Sequence, residues 1–161
     1  MTNQALVEAV RQSRLAAELT ADQVATLAGY VRFRDLEHGD VLVRQGTSDN
    51  HLYVIVHGAL GVVRDSGSAE PVTLVTLTAG DLVGELSFID ETPHYASLVA
   101  TSRTRVFGLE RQQLEALLTT EPLIVYRVMR AIVRAVHEIQ RRISMHATEL
   151  TNYIYKQHGK Y

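Results

Sequence analysis

Residues 80–96, Gly80-Asp81-Leu82-Val83-Gly84-Glu85-Leu86-Ser87-Phe88 and, further on, His94-Tyr95-Ala96, decide how the rest of the chain is read. The two glycines permit close backbone approach and positive φ, and the residues after Gly84 read as the start of a short helix whose first amides point outward without partners. Amides so placed attract phosphate oxygens. Glu85, on the same turn, is positioned to accept hydrogen bonds from ribose-type hydroxyls. The pattern is that of a ligand cradle that holds a hydroxyl and a phosphate side by side, and it supplies no catalytic triad.

On either side of this turn the chain has β character. From Val31 to Leu109, short alternating or β-branched runs are divided by glycine-bearing turns, which predicts strands over 41–44, 51–56, 59–64, 72–77, 96–101 and 104–109. Ser66-Gly67-Ser68-Ala69-Glu70-Pro71 reads as a hairpin tip. Regular short strands with small turns build a sandwich, barrel or roll.

Both flanks read as helix. Leu6, Val7, Val10, Arg14 and Leu15 recur at helical spacing over residues 3–17, and Thr20-Ala21-Asp22-Gln23 is a capping box that opens a second helix through about Ala28. After a helix near 111–118, Pro122 opens a last helix that runs to about Tyr155. Along it Val125, Met129, Ile132, Val136, Ile139, Ile143, His146, Leu150 and Tyr153 recur in steps of four and three, the spacing of a coiled-coil seam. At about 1.5 Å per residue this helix reaches about 50 Å, farther than one small β domain covers, so a second chain is expected on its apolar face. The other reading is a helix folded back on its own domain. His146 would set register within the seam, or act there as a pH switch.

Gly39-Asp40, Arg44-Gln45-Gly46, the run His51-Leu52-Tyr53-Val54-Ile55 with Gly58, Gly80-Asp81 and Gly84-Glu85-Leu86 together resemble the cyclic nucleotide-binding domain. This is the β-roll module of catabolite activator-type regulators, protein kinase A regulatory subunits and cyclic nucleotide-gated channels. The resemblance runs from about Leu15 to about Arg142. It implies a mainly β, jelly-roll-like β-roll with flanking helices, divided into N-terminal helices (1–30), the roll with its phosphate-binding cassette at 80–96 (31–110), and C-terminal helices (111–161) with a dimerisation helix over 122–155. It further implies ligand contacts from Val83, Gly84, Glu85, Leu86, Ser87, His94, Tyr95 and Ala96, and from Arg127 and Arg130 on the helix that covers the pocket.

The chain departs from the family at one position of consequence. The family's cassette ends in an Arg that pairs the cyclic phosphate, followed by Ser or Thr and then Ala, where this sequence has His94-Tyr95-Ala96. A guanidinium is permanently charged and offers phosphate a two-pronged fork, which an imidazole does not. Losing a buried charge-assisted partner costs about 2–5 kcal/mol. The expectation is therefore weak or atypical binding of cyclic AMP, cyclic GMP or a cyclic di-nucleotide, with Arg103, Arg105, Arg127, Arg130 and Arg134 as the available replacement cations. The alternative is a dimeric interaction scaffold whose pocket has degenerated.

Composition limits the remaining choices. The chain has 161 residues, 46% of them hydrophobic, a formal charge of −2 and no cysteine, so it suits one domain with a real core and has neither disulfides nor thiolate metal sites. The basic excess of a nucleic-acid surface is missing. His38, His51 and His57 do not make the ligand spacing of a cupin-type metal centre, and no nucleophile elbow, Walker loop or dinucleotide fingerprint appears, so no catalysis is expected. No leader-like or spanning apolar run is present, which predicts a cytoplasmic protein without membrane contact. Family regulators carry a helix-turn-helix domain after the long helix, whereas this sequence ends at Asn152–Tyr161; direct DNA binding is not expected, and a homodimer serving a separate effector protein is. The tail 151–161 reads as a solvated terminus or as a docking segment.

Overall fold

The computed structural model describes residues 2–158, with side chains described from 3 to 149 apart from His146. Helices α1 (Thr2–Gln12) and α2 (Ala21–Ala28) precede strands β1 (Val31–Leu36), β2 (Val41–Val43), β3 (His51–His57), β4 (Ala59–Arg64), β5 (Val72–Thr78) and β6 (Leu82–Val83). Helix α3 (Glu85–Asp90), strands β7 (Ser97–Ala100) and β8 (Thr104–Glu110), and helices α4 (Arg111–Ala116) and α5 (Pro122–His158) complete the chain. The strands form two antiparallel four-stranded sheets, ordered β1-β8-β3-β6 and β2-β7-β4-β5. This is the expected β-roll with flanking helices.

The first sheet is covered on both faces. Leu52 and Val54 of β3 and Phe107 and Leu109 of β8 pack toward the helices, while Tyr53, Ile55 and Val106 face the second sheet. Burial on both faces explains why β3 is an almost unbroken apolar run. The second sheet is open on its outer side, and its edge strand β5 is largely exposed.

Thr20 and Gln23 form the reciprocal capping box, and the tip at 66–71 joins the paired strands β4 and β5. Three expectations are corrected. The first helix stops at Gln12, because Ser13 takes an extended conformation and turns its hydroxyl back to the Val10 carbonyl; a 3-10 turn, Arg14–Ala16, follows. The strands β1 and β6 were not anticipated: β1 alternates charged and apolar residues along a sheet edge, and β6 spans only two residues inside what reads as a turn.

The third correction concerns α5. Ile124, Val128, Ala131, Ile132 and Ala135 are buried in this chain's own core, as is Val125, while Met129, Val136 and Ile139 pack against its cores. The stripe expected to form a seam with a second chain is thus used at home through Ile139. The large apolar side chains that α5 leaves exposed are Leu123, Tyr126 and Val133 in its first half and, further along, Met145 and Ile143, the latter a position of the expected seam. The seam positions His146, Leu150 and Tyr153 and the docking role of the tail fall outside the described side chains. No described helix is long and apolar enough to cross a membrane.

Candidate functional site

The cassette turn is built on β3. Tyr53 pairs with Val83 and Val54 with Leu82, and the Gly80 amide donates to the Ile55 carbonyl at 2.8 Å. Gly84 closes β6 and caps α3 at φ +80°; a Cβ there would sit 3.2 Å from the His51 carbonyl oxygen, so both its conformation and its surroundings favour glycine. The turn thereby delivers Glu85 at the first position of α3.

A cavity of about 370 Å³ lies between this cassette and α5. Val83, Gly84, Glu85, Leu86, Ser87, His94, Tyr95 and Ala96 all contribute to its lining. Its walls come from the second sheet, including Val62, Leu77 and Leu98, and its roof from Val136, Ile139, Gln140 and Ile143 of α5. Among the described residues that line it there is no lysine or arginine, and Glu85 is the one carboxylate. Burial pushes the Glu85 carboxyl above the usual carboxylate range, opposed only by its own backbone amide.

His94 lines the cavity at its cassette end. Its backbone is pinned to the loop before β3, its amide donating to Thr47 at 2.7 Å and its carbonyl accepting from Gly46 at 2.8 Å. The side chain is 6% exposed, its Nε2 lies 3.6 Å from Asp49 Oδ1, and that nitrogen has no hydrogen-bond partner. Ser87 is otherwise engaged than expected: its hydroxyl donates to the Asp49 carbonyl and accepts from the Asp49 amide, anchoring the loop that carries Asp49. Tyr95 is exposed, with the Arg64 guanidinium 3.7 Å over its ring and hydrogen-bonded to its carbonyl oxygen.

The expected replacement cations are employed elsewhere. Arg127 donates to Gln23, Arg130 and Arg134 pair with Glu18, Arg105 with Asp35, and Arg103 lies beside Glu37. Arg127 and Arg130 do not line the cavity; they occupy a side of α5 that meets the N-terminal segment rather than the cassette. The α5 residues that do face it are a turn or more further along.

One arginine near the cassette was missed. Arg142 of α5 clamps Asp81 through two hydrogen bonds of 3.0 and 3.2 Å, and Arg14 approaches the same carboxylate at 3.5 Å. Glu138 bridges Arg14 and Arg142, and the Thr78 amide donates to Asp81 at 2.9 Å. Asp81 is buried. Burial pushes its carboxyl up, but hydrogen bonds from Arg142 and the Thr78 amide, together with the charges of Arg142 and Arg14, hold it below the usual range. The cassette turn and the roof helix are tied together here.

The roll of two four-stranded sheets carries a glycine-framed turn that sets a glutamate and a helix that lies over the cavity, and the model of the cyclic nucleotide-binding domain matches residues 33–121, more than half of the chain. The chain belongs to the cyclic nucleotide-binding domain family. The cyclic AMP receptor protein of Thermus thermophilus is 27% identical over 127 residues, covering 79% of this chain and 59% of that protein. The chain therefore spans about three fifths of that relative's length. A cyclic nucleotide-binding domain from Methylobacillus flagellatus matches at TM-score 0.77 and 25% identity, over 88% of this chain and 79% of the other. The regulatory subunit of a cAMP-independent protein kinase A from Trypanosoma brucei shares the fold at TM-score 0.73 and 21% identity, over 92% and 52% of the two chains. Within this cyclic nucleotide-binding fold, the cavity under α5 is the candidate site, and the described residues hold no cluster suited to a metal ion.

Proposed function

We propose that this chain is a non-catalytic regulatory module that senses a cyclic nucleotide or a chemically related ligand, bound atypically because His94 takes the place of the cassette arginine. The observation that carries this reading is the cavity itself: about 370 Å³ remains open between the cassette and α5. A pocket that had collapsed would favour the scaffold reading. Because Asp81 and Arg142 tie the cassette turn to the helix, a ligand seated between them has a direct route to the position of α5. Only a difference in affinity for two helix arrangements shifts their populations.

The outward apolar face of α5, with Leu123, Tyr126 and Val133 at 46, 57 and 65% exposure, supports a homodimer along this helix. The module acts in the cytoplasm, through a separate effector protein. Its test is thermal melting against millimolar cyclic AMP, cyclic GMP and cyclic di-nucleotides at pH 6 and pH 8. Ligand at 100 times its dissociation constant adds about 2.7 kcal/mol, or about 5–10 °C for a chain of this size. A shift with one ligand supports the sensor, and growth of that shift at pH 6 assigns the phosphate to a protonated His94. No shift across the panel favours the scaffold.

A further inference from the structure

Four properties of the cavity bear on which ligand it takes. It is lined chiefly by aliphatic side chains, among them Val62, Leu77, Leu98, Val136, Ile139 and Ile143. It holds no lysine or arginine among its described lining residues, while Glu85 adds the one group that can carry a negative charge. Its cassette end presents a histidine that is buried to all but 6%, whose Nε2 lies 3.6 Å from Asp49 Oδ1 and makes no hydrogen bond. Its helix end presents the carboxamide of Gln140, which offers both donors and an acceptor.

A cyclic phosphate entering this space would give up water for a wall with no lysine or arginine among its described residues and with a carboxylate nearby. Burying an unpaired charge in that way is strongly unfavourable. A neutral ligand avoids that penalty. Its apolar ring system would be matched by the aliphatic walls, its hydroxyls by Glu85, which accepts hydrogen bonds when ionised, and a further hydroxyl by His94, whose Nε2 makes no hydrogen bond to the Asp49 carboxylate 3.6 Å away. Gln140 would meet the polar edge of a base.

We infer that the cavity takes a phosphate-free nucleoside in preference to its cyclic phosphate. This inference rests on the proposed sensor reading and refines it by naming the ligand class. The ring sits between the sheet wall and the roof of α5, the sugar hydroxyls lie at Glu85, and His94 occupies the volume that a phosphate and its arginine would otherwise share.

The experiment is calorimetric titration of the full chain at pH 7 with adenosine, guanosine, cyclic AMP and cyclic GMP. The expected result is binding of at least one nucleoside with its cyclic phosphate weaker by about tenfold or more, the discrimination that a missing charge partner gives. Glu85→Gln, which keeps the shape but loses the ionised acceptor, should weaken nucleoside binding and leave the melting profile of the free protein cooperative. A cyclic nucleotide that binds as tightly as its nucleoside, or more tightly, overturns the inference and leaves the sensor reading standing. Silence with all four overturns the inference too; the sensor reading is then decided separately, by the cyclic di-nucleotides in the melting panel.

Discussion

Asp81 and Glu85 stand at the two ends of one short turn, both are acidic, and the fold treats them in opposite ways. Asp81 is buried against Arg142 and Arg14, and its carboxyl is held below the usual range; Glu85 faces the cavity without a cation, and burial raises it. The difference separates structure from recognition. At Asp81 the arginines fasten α5 to the roll, so the negative charge is answered within the chain. At Glu85 no cation answers the charge, and its own backbone amide is what opposes the effect of burial.

Removing the fastened acid should have the largest effect. Asp81→Ala leaves Arg142 and Arg14 facing a void; breaking a buried pair costs about 3–5 kcal/mol, which we reduce to about 2–3 kcal/mol because both arginines retain access to water. Thermal melting should drop by about 5–10 °C for a chain of this length. A drop below 2 °C, on the order of a surface substitution, would mean the clamp holds little.

This clamp is also where the sequence was least legible. Asp81 and Arg142 are 61 positions apart, and nothing in either neighbourhood names the other. The cassette turn, the capping box at Thr20 and the hairpin at 66–71 were legible because each is set by adjacent residues: a positive-φ glycine, a hydroxyl three positions before an amide, a cluster of turn formers. The existence of α5 was equally plain, but its orientation about its axis was not. Between Ile124 and Val136 apolar residues lie around most of its circumference, so several stripes fit the helical period, and only the packed domain decides which one turns inward. The family resemblance put Arg127 and Arg130 over the pocket, whereas the fold sets them beside Gln23 and Glu18.

Gly84, between the two acids, gives the next effect. Gly84→Ala must hold a side chain at φ +80° with its Cβ 3.2 Å from the His51 carbonyl oxygen, a cost of about 1–2 kcal/mol. Urea unfolding at constant slope should report it. An unchanged midpoint would show that the turn can relax without penalty, and that the cradle is less rigid than the fold indicates.

The smallest effects are the most diagnostic, because their signs oppose. Asp81 has a folded pKa below its unfolded value of about 3.9, so its stabilisation is present above that value and is lost as pH falls through the lower, folded one. Glu85 has a folded pKa above its unfolded value of about 4.3, so its contribution is present below that value and is lost as pH rises through the folded one. Glu85→Gln should therefore be neutral or slightly stabilising at pH 7, by less than about 1 kcal/mol, whereas Asp81→Asn destabilises. Denaturation curves of the two variants from pH 3 to pH 7 should diverge with rising pH. Parallel curves would remove the distinction between the two acids.

The most direct test is calorimetric titration of His94→Arg with cyclic AMP beside the parent protein. If the cavity is intact and lacks only a cation for phosphate, the substitution should tighten cyclic AMP binding by about 100-fold or more, the return of a charge-assisted partner. Equal and negligible binding by variant and parent would contradict the account, because the cavity would then be closed to nucleotides for reasons other than the missing arginine.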